Sequence, residues 1–179
     1  GAGGSVYHHT NPVKPSKPIS MFHSEEFQTE VHLRDWREIA RRDEVWGSFI
    51  WNMFDFGADT RKEGDRLGIN DKGLVTRDRA LAKDAFFLYK ANWNPEPMLY
   101  LTGKRAKTAD ADKAMVRGFS NLGKPVQLFV NGAKVGERTP DEIRSVTWND
   151  VPLKAGANEI LVVNHAGSRS NWLSLWTNL

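Results

Sequence analysis

One stretch constrains this chain more than any other: Val45-Trp46-Gly47-Ser48-Phe49-Ile50-Trp51-Asn52-Met53-Phe54-Asp55-Phe56. It holds two tryptophans and three phenylalanines, with no charge before Asp55. Strict alternation marks a strand with one wet face. A near-continuous apolar run marks a strand covered on both faces, as in a parallel sheet between helices. The run is too short to cross a membrane as a helix. Helical patterns flank it at residues 24–42 and 83–93. Helix, buried strand over 45–51, helix is the grammar of a barrel or doubly wound sheet. In such folds chemistry gathers at the carboxyl ends of strands. Trp51, Asn52 and Asp55 are therefore the first places to look.

Bulk numbers narrow the function classes. The 179 residues, 40% hydrophobic and 26% charged, suit one or two globular domains. Net charge is +3. Residues 1–94 carry 14 basic and 14 acidic side chains; subtraction from 25 and 22 leaves 11 and 8 for the rest. Neither part has the basic stripe of a nucleic-acid binder, and Lys104, Arg105 and Lys107 read as a solvated turn. With no cysteine there is no disulfide framework or thiolate metal site. No signal peptide or membrane span is visible. Gly1-Ala2-Gly3-Gly4-Ser5 reads like the interior of a loop.

Residues 1–23 are loop-like, with Pro12, Pro15, Pro18 and the pair His8 and His9. Ser24 suits a helix N-cap, with Glu25 and Glu26 in the first turn where the helix dipole favours negative charge. Phe27, Val31, Trp36, Ile39 and Ala40 would form the helix's apolar face. Residues 57–82 are polar and punctuated by Gly57, Gly64, Gly68 and Gly73. A structureless connection that long is usually functional. Asn94-Pro95-Glu96-Pro97 is a linker signal. Beyond it the period becomes two, with candidate strands at 98–101, 115–120, 126–130, 134–137, 145–148, 158–163 and 172–176. Asn131-Gly132 is a strong hairpin signal, and the spacing suggests a β-sandwich of immunoglobulin type.

Each candidate side chain has a functional and a bland reading. Asp55, Asp59, Asp65 and Asp71 could supply the paired carboxylates of glycoside cleavage, or cap turns. His8 and His9 lack a metal-ligand motif and fit a loop near a pocket. His23 and His32 read as helix-face residues. Trp51 could stack on a sugar or fill the core, where Trp46 belongs. Asn70 and Lys72 could aim an amide and an ammonium at a substrate, or stand in a solvated turn. Trp148, Trp172 and Trp176 could form a sugar platform or sandwich core.

Four segments together resemble the C-terminal part of glycoside hydrolase family 2, the β-galactosidase and β-glucuronidase family. They are Ser24-Glu25-Glu26-Phe27-Gln28, the run from Val45 to Phe56, the stretch from Asn70 to Arg79, and the stretch from Lys83 to Trp93. The resemblance implies that residues 1–94 are the last part of a (β/α)8 barrel and residues 95–179 an immunoglobulin-like β-sandwich. Residues 45–51 would be the eighth barrel strand and 24–42 the seventh helix. It further implies a retaining exo-β-glycosidase, β-galactosidase-like first and β-glucuronidase-like second. Both catalytic glutamates would lie upstream, so this chain alone is expected to be inactive. Trp51, Asn70, Lys72 and Arg66 would contact substrate, and Asn70-x-Lys72 resembles a clamp for a uronate carboxylate. The expected partners are a carbohydrate and the remainder of the barrel or another chain on residues 1–94. No metal, cofactor, nucleic acid or membrane is expected, and a periplasmic or secreted location follows from the resemblance. A non-catalytic sugar-binding module is the competing reading.

Overall fold

A computed structural model describes residues 1–109, 112–164, 169–170 and 176–178. Contacts divide the chain into two units, Gly1–His9 with Val13–Phe87 and Thr10–Pro12 with Leu88–Leu179.

In the first unit, helix α1 spans Glu25–Ala40. Ser24 caps it, its hydroxyl accepting the Phe27 amide at 3.2 Å. Besides Glu26, the buried residues are Glu25, Gln28, Thr29, His32 and Leu33, the right helical spacing but mostly polar. The expected apolar face is only half-buried at Phe27, Val31, Trp36 and Ile39, and Ala40 is exposed. Polar side chains can be buried there because they have partners. Glu25 accepts the Asp84 amide at 2.7 Å, and Gln28 donates to the Ala2 and Gly73 carbonyls at 3.0 and 3.2 Å.

The apolar run departs from expectation. Residues 45–51 adopt no regular strand. Trp46, expected in the core, is 95% exposed, and Phe49 is 98% exposed. A strand exists only through its ladder partners, and among the described residues none pairs with 45–51. Pairing begins just past it. Leu74 and Val75 donate to Asn52 and Met53, and Asp55 donates to Val75, at 2.9–3.0 Å. The connection over 57–82 is not structureless. Strands β1 (Phe56–Gly57) and β2 (Ile69–Asn70) pair antiparallel, with Phe56 opposite Asn70. Helix α2 (Asp84–Trp93) begins in the first unit, with Ala85 fully buried, and its residues from the fully buried Leu88 onward belong to the second.

The second unit is mostly sheet. Strands β3 (Leu99–Leu101), β4 (Thr108–Ala109), β5 (Lys113–Ser120), β6 (Val126–Val130), β7 (Ala133–Arg138), β8 (Ser145–Pro152), β9 (Gly156–Asn158), β10 (Ile160–Asn164), β11 (Arg169–Ser170) and β12 (Trp176–Asn178) form three sheets. Their orders are β3-β5-β8, β11-β10-β6-β7 and β4-β12-β9. Asn131 and Gly132 join β6 to β7 with φ of 51° and 81°, the doubly positive turn whose twist matches a hairpin. Leu101, Val116, Val146 and Trp148 from the first sheet share one core with Val126, Leu128, Val130, Ile160 and Val162 from the second. Two antiparallel sheets sharing a core is the arrangement of a β-sandwich. Trp148 is 4% exposed and therefore core rather than platform. Trp172 lies outside the described residues, as do 173–175 of the expected last strand.

Candidate functional site

The site is built around the turn 70–73 in the first unit. Asn70 is buried, and its side-chain oxygen accepts the Lys72 amide at 3.1 Å. That bond closes a turn onto the asparagine's own side chain. Asp71 sits between them, 4% exposed, its carboxylate 2.8 Å from His23 Nδ1. The Gly73 amide donates to Asp55 Oδ1 at 2.8 Å. Side chains thus hold Lys72, Asp71 and Gly73, where a ladder would hold them in a sheet.

At the centre lies Lys83, fully buried. Its ammonium donates to the Gly4 carbonyl at 2.6 Å, Asp55 Oδ1 at 2.8 Å and the Asp71 carbonyl at 3.0 Å. All three donors of an ammonium are used. Burial pushes the Asp55 carboxyl above the usual carboxylate range, and the Lys83 charge opposes that shift. The loop-like opening of the chain turns out to be a close-packed strap. A Cβ at Gly3 would fall 2.5 Å from both Asp71 Oδ1 and His23 Nδ1, and one at Gly4 would fall 2.6 Å from Gln28 Cβ.

Nothing in the sequence reading singled out Lys83, Gln28 or the buried role of His23. One signal for Lys83 existed. It stands directly before α2, where the helix dipole disfavours a cation. His23 is buried and precedes the α1 cap, so it is not a helix-face residue. The Asp71 hydrogen bond raises its pKa against the effect of burial. His9, where burial opposes and the Glu26 contact at 2.8 Å prevails, is also raised.

His32 behaves oppositely: burial lowers its pKa to about 4. An unfolded histidine titrates near 6.5. Between those values the unfolded state binds more protons, so His32 makes stability fall as pH drops from about 6.5 to about 4. The expected loss is on the order of 3 kcal/mol. His9 and His23, with raised pKa values, add stability over the same fall in pH, so the change in urea midpoint from pH 7 to pH 4.5 is compared between chains. It should be less unfavourable to stability at pH 4.5 in His32→Gln than in the native chain. An equal change in that variant would contradict the assignment.

The remaining candidates are spread over the first unit. Trp51 is 61% exposed, its ring edge-on to Phe56 at 6.0 Å. Lys72 is half-buried. Arg66 is exposed, donating to the Tyr7 hydroxyl at 3.1 Å with its guanidinium 5.4 Å from that ring's centroid. Arg66 lines a cleft of about 340 Å³ with Ser5, Tyr7, Asp55, Asp65 and Arg77. Trp51, Asn70 and Lys72 do not line it. Asp55 and Asp71, both committed to buried partners, act as struts, while Asp59 is exposed. His8 stacks on Phe22 at 4.6 Å, and burial lowers its pKa. Among the described residues no group of three or more histidine, aspartate or glutamate side chains is placed to hold a metal. No helix there is long and apolar enough to cross a membrane.

No family model matches the chain. A β-glucuronidase of Bacteroides fragilis is 47% identical over 163 residues, covering 90% of this chain and 23% of that protein. This chain is homologous to family 2 glycoside hydrolases. A putative β-glucuronidase of Formosa agariphila is 32% identical over 141 residues, covering 74% of the chain and 17% of that protein. Among solved structures, a putative β-galactosidase from Bacteroides fragilis superposes with a TM-score of 0.87 at 31% identity, covering 99% of this chain and 27% of that one. The chain thus spans about a quarter of the length of the family 2 proteins it matches.

Proposed function

We propose that this chain is the C-terminal part of a retaining exo-β-glycosidase that hydrolyses O-glycosyl bonds. In this reading residues 1–94 end a (β/α)8 barrel, and residues 95–179 form an immunoglobulin-like sandwich. The observation that carries it is the homology to family 2 proteins over nearly the whole chain. The exposed run supports it. A run that leaves Trp46 95% and Phe49 98% exposed presents large apolar side chains suited to being covered. The remainder of the barrel is the proposed cover, and a carbohydrate the proposed substrate. Trp51, Asn70, Lys72 and Arg66 are its proposed contacts.

The principal reading is a β-galactosidase. A β-glucuronidase is the second reading, favoured by Lys72 on its side-chain-braced turn and by the activity named for the Bacteroides fragilis relative. An ammonium facing a uronate gains a charge-assisted hydrogen bond of about 1.5–3 kcal/mol, which a neutral hydroxyl does not match. In the polypeptide joining this chain to the rest of the barrel, Lys72→Ala should cut kcat/KM on aryl β-glucuronide about ten- to a hundredfold if the enzyme is a glucuronidase. A galactosidase should lose far less on its own substrate. Trp51→Ala should damage either activity, because stacking ignores the substituent at C6. Intact rates in Trp51→Ala would remove that tryptophan from the site.

A further inference from the structure

We propose that Lys83 is a positioning residue for substrate binding, holding the Asn70–Lys72 turn in place through the Asp71 carbonyl. The inference rests on the reading of Asn70 and Lys72 as substrate contacts.

Three segments meet at one ammonium. Gly4 belongs to the opening strap, Asp55 to the end of the apolar run, and Asp71 to the turn itself. The strap is bound to the turn a second time, by the Gly4 amide donating to the Asp71 carbonyl at 3.1 Å. Gln28 adds a parallel tie, joining the Ala2 and Gly73 carbonyls. Asp71 O therefore accepts from both Lys83 and Gly4, and Asp55 Oδ1 accepts from both Lys83 and Gly73. Removing the ammonium leaves a buried carboxylate without its counter-charge, takes the Lys83 donor from the Gly4 carbonyl and leaves the Asp71 carbonyl with the Gly4 amide alone. An apolar side chain of equal length would fill the space but join nothing. A buried pair of this kind is weak as a source of stability and is better explained by the single geometry it enforces. Here that geometry is the backbone on either side of Lys72. Because Lys83 is fully buried, it reaches no ligand itself and acts only through the turn.

The test is hydrogen exchange on this chain, comparing the native protein with Lys83→Met. Exchange at the Gly4 and Gly73 amides should accelerate at least tenfold in the variant, with amides in the C-terminal half of α1, in the same unit, unchanged. Equal acceleration in that half of α1, or none at Gly73, overturns the proposal. A measurement on the unsubstituted chain covers the case in which the variant fails to fold. At rising urea the Gly4 and Gly73 amides should open as one unit, with protection matching within twofold. Independent opening overturns the proposal as well. In the assembled glycosidase, Lys83→Met should reproduce the substrate-selective loss of Lys72→Ala and add little to it in the double variant; full additivity counts against the proposal. If Lys72→Ala leaves both substrates untouched, the reading of the turn as a substrate clamp fails. The exchange result then stands separately as a statement about the turn.

Discussion

Leu128→Ala is expected to destabilise the second unit by about 2–5 kcal/mol, the range for a large aliphatic side chain removed from a close-packed core. Leu128 is fully buried in β6, whose burial alternates strictly along the strand. It stands opposite Val162 in the ladder to β10 and belongs to the core both sheets share. Removing it leaves a void between two sheets that are each held in register by their own backbone bonds. Collapse into the void would require a whole sheet to move, which favours the upper half of the range. For a unit of roughly a hundred residues each kcal/mol lowers Tm by about 4–8 °C. Calorimetry on the native chain and the variant would decide. A loss below about 1 kcal/mol would mean that the two sheets do not form one packed core.

Gly73→Ala should disable the candidate site itself. A Cβ there would fall on the Asp55 amide nitrogen and the Phe54 carbonyl carbon, and 2.6 Å from Asp55 Oδ1. The obstruction is backbone, which cannot turn aside as a side chain can. Residues 52–55 would have to part from 74–75, breaking the hydrogen bonds donated by the Leu74, Val75 and Asp55 amides and the one from the Gly73 amide to Asp55 Oδ1. Overpacking usually costs about 1–3 kcal/mol, and the upper end or beyond is expected here. Gly47→Ala is the control. Nothing lies within 4 Å of its Cβ position, so it should change stability by less than about 0.5 kcal/mol. Paired urea titrations should separate the two. Equal midpoints would show that the 52–55 and 73–75 segments are not in close contact in solution.

Features that depend on a few neighbouring residues were legible in the chain itself. Ser24 caps α1 as its side chain and position suggest. Asn131-Gly132 forms the hairpin turn, and the alternation over Val126–Val130 becomes alternating burial. A cap, a turn and a pleat are settled within one or two turns of chain, so their signals are local. The resemblance to family 2 proteins was legible for the same reason, as runs of residues in order, and the homology bears it out.

Burial was decided only in three dimensions. The run over 45–51 has the composition of a core strand, yet Trp46 and Phe49 stand almost fully exposed. Composition states what a segment would gain by being covered, while coverage depends on partners that no local pattern names. The same holds inside the site. Lys83 and Gln28 are ordinary polar residues in sequence and fully buried in the fold. A lysine can be buried only where acceptors from distant segments converge on it, here from Gly4, Asp55 and Asp71. The chain determines each of those residues singly. Their convergence on one ammonium is a property of the tertiary structure, because an isolated buried charge would be too costly to keep.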